Sequence, residues 1–580
     1  MVPKISKISQ SIAPFVIIIF LLTACTPSSA STSLPPTQIT DDLIATSPPE
    51  KQPLPTNAPT LDPIGLYLDS SLPSGLITEQ ALPGITLSDD PSSPLWLGPA
   101  EKAPEGRLLS TSSWIYALVA PFPTLTDNVN LNDLRLYWGG HRHGPFGSIT
   151  KLYVPEIVRE IIEVRWFPGN ALTITTYQDI PDIEKLWEEN AWAIIPFEKL
   201  DPKLKVISIS SYSPLQKSFE TTYYPLAFSF QLIQKQDSLE TISDEMIQRL
   251  TDAIQATNRD PEKMTTLVMT GVTALVRATA YQMETKGILY PGEAIREWLL
   301  EADLAHISNE VSFYEDCPFP NPDSRMLLFC SNPEYLELFE YVGADIIELT
   351  GNHNNDSLYV YGEDVVPYTL DIYKNSGMQT YGGGRNLEEA KSPLVITHNG
   401  NRIAFIGCNA PGPDFAWATE DHGGAARCGD YQWMTAEISN LREDGILPIA
   451  TLQYYEDYYN FQESHHIEDF GLLAQSGAVI VNGSQAHRPK GMTFYNDTVI
   501  DYGLGNLFFD QMGIIDDYGN QILQTRWEKI QRHTFYDGRH LSTELLTAIL
   551  EDYAQPRPMT PVERRIFLEE IFTASGWNPR

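Results

Sequence analysis

Asp345-Ile346-Ile347-Glu348-Leu349-Thr350 runs directly into Gly351-Asn352-His353-Asn354-Asn355-Asp356. The first six residues form a short, mostly apolar run bounded by turn formers, the pattern of a buried strand. The next six bring amides, an imidazole and a carboxylate to the point where that strand ends. The same succession recurs downstream, where residues 478–481 lead into Asn482-Gly483-Ser484-Gln485-Ala486-His487. Two strands that each deliver polar side chains at one end place a candidate site at the edge of a sheet.

Outward from this stretch, short apolar runs and helical patterns alternate. Strands are expected at 265–270, 305–309, 345–350, 447–454 and 478–482, and helices at 292–301, 333–342 and 365–375. This alternation predicts a layered α/β fold with helices on the sheet faces. Asn399-Gly400 and Asn496-Asp497 add hairpins. Asn258-Arg259-Asp260-Pro261 interrupts the pattern and marks a seam near residue 260. Before it, strands at 114–121 and 191–196 join helices at 131–138, capped by Asn130, and 241–257.

The N-terminus carries Lys4 and Lys7, then an apolar run at 15–22 too short to span a bilayer, then Leu22-Thr23-Ala24-Cys25. This is the pattern of a lipoprotein signal peptide cleaved ahead of a lipidated Cys25. Residues 26–63 are rich in Ser, Thr and Pro and read as a disordered tether. The expected organisation is therefore signal peptide 1–25, tether 26–63, a smaller α/β domain 64–260, a larger α/β domain 261–515, and a partly helical extension 516–580. The protein is expected on the extracytoplasmic face of the cell membrane, touching it through the anchor alone. A net charge of −36 speaks against nucleic acid and anionic lipid as partners. Apart from Cys25, the five cysteines leave Cys317, Cys330, Cys408 and Cys428. In an oxidising compartment these predict two disulfides, with the sequence-local pairs favoured among the three connectivities.

Five segments in order, TGVTALVR at 270–277, GNHNND at 351–356, YGGGRNLEEA at 381–390, NGSQAHRPKG at 482–491 and DYGLGNLFFD at 501–510, resemble the CapA family of poly-γ-glutamate and capsule synthesis proteins. The resemblance implies a calcineurin-like metallophosphoesterase sandwich for 261–515. It also implies a metal site whose ligands come from several strand-end loops. The family's first Asp falls at Val272. Its Glu falls at Glu310 beside Ser308, and its Asn-His pair at Asn352-His353, with Asn355 and Asp356 on the same rim. Two further His positions are occupied by Gln453 and Gln485, and His487 remains. Glu310, Asn352 and His487 are the remnant ligands and His353 the candidate proton donor, so a bound divalent metal is doubtful. Residues 116–140 and 192–210, with Tyr224-Pro225-Leu226, resemble pieces of phosphate-type periplasmic solute-binding proteins, with amides near Asn130 as candidate anion donors.

Other features read as structural. Gly382-Gly383-Gly384 lacks the Lys-Ser/Thr of a P-loop and is expected to be a turn. His141-Arg142-His143 is expected in a solvated loop. His465-His466, adjacent on a helix, is expected to point two ways. Tyr454, Tyr455, Tyr458, Tyr459 and Phe461 are expected to pack, with sugar stacking the alternative. The leading expectation is a CapA-type surface lipoprotein that assists synthesis, assembly or export of an anionic or glycan polymer, alone or with membrane synthesis machinery. An active metal-dependent hydrolase and an anion-binding receptor are the alternatives.

Overall fold

The structure, a computed structural model, describes residues 63–78, 83–178, 180–236, 242–516 and 518–580. Cys25, the signal segment and all of the tether but its last residue lie outside them. Residues 62–580 form one compact unit.

Two sheets stack face to face in its downstream part. The first runs Gln379–Tyr381, Ile346–Glu348, Leu304–Asn309, Met264–Thr273, Trp527–Tyr536, Arg539–Glu551, Gln555–Pro558. Its first four strands are parallel and the last three antiparallel. The second runs Leu394–His398, Asn401–Asn409, Leu447–Gln453, Ile480–Ser484, Thr498–Asp501, Met492–Tyr495. Both hairpins lie in this second sheet, at Asn399-Gly400 and Asn496-Asp497.

Side-chain alternation separates the layers. Leu267 and Met269 point between the sheets and meet Phe405, Ile449 and Ile480 from the second sheet. Val268, one residue out of phase, points outward with Ile307 and Ile347 onto Leu338, Phe339 and Leu370 of the outer helices. On the far side, Ile406, Leu452 and Val481 pack against Met434, Ile438, Phe470 and Leu473 of Gln432–Glu443 and Ser464–Gln475. The layered α/β sandwich expected from the sequence is thus present.

Residues 64–235 supply a separate mixed sheet, nine-stranded among the described residues, around Gly106–Pro121 and Trp192–Pro196. Met264, Tyr536 and Leu541 from downstream join its core. The expected helix at 292–301 is broken: a short turn at Tyr290–Gly292 precedes Arg296–Leu300. A Cβ on Gly292 would lie 2.6 Å from Val342 Cγ1, so this segment is pressed too closely onto its neighbour to carry a side chain there. The expected helix at 241–257 spans Asp244–Ala253, because Ser243 accepts Met246 N and Ile254 leaves to bridge Ile77. Within 516–580, three strands complete the first sheet before the helix Pro561–Ala574. Disulfides join Cys317 to Cys330 and Cys408 to Cys428.

Candidate functional site

The parallel strands of both sheets end on one side of the sandwich, and the expected residues follow those ends. Glu310 comes directly after Leu304–Asn309, Asn352 and His353 after Ile346–Glu348, and Gln485 after Ile480–Ser484, while Gln453 closes Leu447–Gln453. Gly351 permits the first meeting. A Cβ there would lie 2.2 Å from Glu310 Cα, so only glycine lets the two loops pass. Gln485 adopts a left-handed backbone, φ 75°, an uncommon state for a residue with a side chain.

These residues converge on the amide nitrogen of Gln453. Its Nε2 lies 3.0 Å from Asn352 Oδ1 and 3.4 Å from Glu310 Oε2, and also donates to Gln485 Oε1. The other Gln453 atom, Oε1, is buried without a partner among the described residues. Val272 is buried, with its backbone tied to Gly505 and Leu507.

Two imidazoles flank this cluster. His353 Nδ1 lies 2.7 Å from Asp356 Oδ2, which also accepts Phe329 N at 2.6 Å. Burial disfavours a charged His353, but the Asp356 hydrogen bond and the charges of Glu310, Asp356 and Glu456 outweigh it and raise the ring above its usual value. His487 Nδ1 lies 2.8 Å from Asn506 Oδ1, and its ring stacks 5.1 Å from Phe509.

A cavity of about 390 Å³ opens over the cluster and is lined by Glu310, His353, Gln485 and His487. Ser308, Asn355 and Asp356, expected on the rim, lie beneath it instead. Ser308 Oγ meets Ser484 Oγ at 3.1 Å across the two sheets. Asn355 ties down the carbonyls of Phe415 and Gly423, and Asp356 orients His353 from below.

The cavity is also lined by Arg277, Glu456, Tyr458 and Asp510, which sequence reasoning did not place among the site residues. Arg277, at φ 46°, clamps Asp510 with two nitrogens and lies over Phe329 and Phe509 at 4.9 and 5.3 Å. A signal was present, since Arg277 and Asp510 are the last residues of two of the quoted segments. Glu456 and Tyr458 sit on the loop 454–461, within the tyrosine cluster. Buried Lys490 holds that loop through Asp457 Oδ1 at 2.7 Å, Tyr459 O at 3.0 Å and Phe461 O at 2.9 Å. Tyr454 is buried, whereas Tyr455, Tyr459 and Phe461 are exposed, the last two stacked at 5.2 Å.

One expectation is corrected. His465 and His466 do not diverge: their rings are 4.4 Å apart, and ligating atoms of both lie within 4.8 Å of Glu463. The cause is a helix cap, in which Glu463 accepts the His466 amide and the His466 ring accepts the Glu463 amide. His141 and His143 are exposed. Gly383 and Gly384 pair with Gly424-Ala425 in a two-stranded ribbon.

Residues 266–511 match the family described as bacterial capsule synthesis protein PGA_cap. A capsule biosynthesis protein CapA of Bacillus anthracis is 22% identical over 271 residues, 46% of this chain and 64% of that protein. A PGA biosynthesis protein CapA of Bacillus subtilis (strain 168) is 25% identical over 183 residues, 31% of this chain and 47% of that protein. The chain thus spans less than two thirds of either. Among solved structures, a 5'-nucleotidase precursor from Thermus thermophilus aligns at TM-score 0.27 and 15% identity, covering 54% of this chain and 58% of that one. An ABC-type phosphate transport receptor from Vibrio cholerae aligns at TM-score 0.22 and 13% identity, covering 27% and 73%.

Proposed function

We propose, from the match of residues 266–511 to the family described as bacterial capsule synthesis protein PGA_cap, that the chain binds an anionic envelope polymer, of the poly-γ-glutamate or capsule type, without cleaving it. In this reading it serves synthesis, assembly or export of that polymer from the outer face of the cell membrane, held there by a lipid on Cys25. The names of the two CapA relatives support the polymer class. No helix of the described residues is long and apolar enough to cross a membrane.

The observation that carries the reading is Gln453. The oxygens of Glu310, Asn352 and Gln485 gather around an amide N–H donor. A neutral amide, with two N–H hydrogens for three oxygens, thereby stands where the family's site is expected to hold a cation, and it offers no bound water to activate. Val272 cannot coordinate, and two glutamines replace imidazoles, so the donors present do not fit the family's divalent centre. One observation favours the competing reading of a metal-dependent hydrolase: His353 is still oriented by Asp356 beside the cavity.

The test is to incubate the full chain with γ-linked glutamate oligomers and with a simple phosphodiester, each with and without added Mn²⁺ or Zn²⁺. Binding of the oligomers with no cleavage of either compound is expected. Metal-dependent cleavage abolished by His353→Ala would promote the hydrolase.

A further inference from the structure

We propose that the cavity recognises the ammonium end of the polymer rather than its run of carboxylates. This deepens the polymer-binding reading and rests on it for the identity of the ligand.

The charge around the cavity has the wrong sign for a polyanion. Of the three basic side chains that line it, Arg277 is paired with Asp510, His353 with Asp356, and His487 is hydrogen-bonded through Nδ1 to Asn506 Oδ1. That leaves two carboxylates without an ion-pair partner among the described residues. Glu310 lies on the floor, 1% exposed, and its carboxylate receives one hydrogen bond, the 3.4 Å contact from Gln453. Glu456 lies at the exposed mouth and accepts from the Tyr458 hydroxyl. A buried carboxylate with one long neutral partner is costly, and a cation entering from the cavity relieves that cost.

The walls specify which cation. Phe329, Phe509 and Tyr458 line the space, and aromatic faces attract a cationic group held close to them. Arg277, lying over two of these rings, is an internal example of that attraction. The remaining acceptor on the floor is the Gln485 carbonyl, already drawn toward the Gln453 amide. A primary ammonium carries three N–H donors that a carboxylate and an amide oxygen can share, and it enters a site lined by oxygens and rings more readily than a second anion. The Arg277–Asp510 pair at the wall gives a carboxylate next to that ammonium a partial countercharge. The ligand class is therefore an α-amino acid end: an ammonium with a carboxylate nearby, as at the amino terminus of a peptide-linked acidic chain.

The test is calorimetry on the full chain with a γ-linked glutamate trimer bearing a free amine, its N-acetylated counterpart, and propylammonium as a polymer-free probe. The free-amine trimer is expected to bind at least 10-fold more tightly than the acetylated one. Glu456→Gln, an exposed change that leaves the fold intact, is expected to shrink that ratio, and Glu310→Gln to remove it. Equal binding of the two trimers overturns the inference and leaves the polymer reading standing. Binding of propylammonium with neither trimer supports the ammonium preference and contradicts the polymer reading. No binding of any free amine overturns the inference outright.

Discussion

Replacing Lys490 with methionine removes a buried cation and keeps its apolar stem. Lys490 is fully buried, and its ammonium holds the loop 454–461 by three hydrogen bonds, to Asp457 and to the carbonyls of Tyr459 and Phe461. Breaking one side of a buried ion pair costs about 3–5 kcal/mol. Asp457 keeps some solvent contact, 19% of its side chain, so it can partly rehydrate, and a cost of about 2–3 kcal/mol is the better estimate. The loss is local, because the loop opens more easily than the sandwich beneath it. At ~1.4 kcal/mol per factor of ten, amide exchange in the loop should accelerate by about 30- to 150-fold. Since Glu456 and Tyr458 ride on this loop, affinity for the free-amine trimer should fall as well. Hydrogen exchange read by mass spectrometry, wild type against Lys490→Met, is the assay. Unchanged exchange at residues 455–461, with the variant folded, would refute the idea that this cation holds the cavity wall.

Glu528 is buried with neither carboxylate oxygen hydrogen-bonded among the described residues, and burial raises it well above 4.5. A raised carboxyl stabilises the fold below its unfolded value and loses that contribution as pH rises. Wild type should therefore weaken relative to Glu528→Gln by about 1.4 kcal/mol for each pH unit above 4.5 over which the folded protein keeps the proton. Urea unfolding at pH 5 and pH 7 giving parallel shifts for both proteins would contradict this. Cys317–Cys330 lies in a half-buried loop and Cys408–Cys428 deep in the core. Mild reductant under native conditions should open the first pair alone, read by alkylation and peptide mass, and its loss should cost on the order of 3 kcal/mol. Cys25→Ser should move the protein from the membrane fraction to the soluble one with an unchanged melting temperature, and a variant that stays with membranes would remove the lipid anchor from the account.

The strand-end loops were legible because Gly351 and the polar runs after 350 and 481 are local features. Their convergence was not. That Gln453 reaches Glu310, Asn352 and Gln485 depends on how two sheets face each other, which no spacing within one strand reveals. The strand Trp527–Tyr536 was missed for a different reason: Glu528, Lys529, Arg532 and His533 break its hydropathy. Lys529 is nonetheless fully buried, because Asp501 meets it at 2.9 Å. Pairing across elements hides such strands from pattern reading. His465-His466 misled because helix periodicity was applied to a first turn, where the cap decides where the rings go.

In the proposed reading, Gln453 and its neighbours take the place of a divalent centre. Metal stoichiometry after dialysis tests it most directly, measured by inductively coupled plasma mass spectrometry on wild type and on the triple variant Val272→Asp, Gln453→His, Gln485→His. Those changes return a carboxylate and two imidazoles to loops that already present Glu310, Asn352 and His487. The account predicts little metal in wild type and about one divalent ion or more in the variant. Stoichiometric metal in wild type, with none gained by the variant, would contradict it.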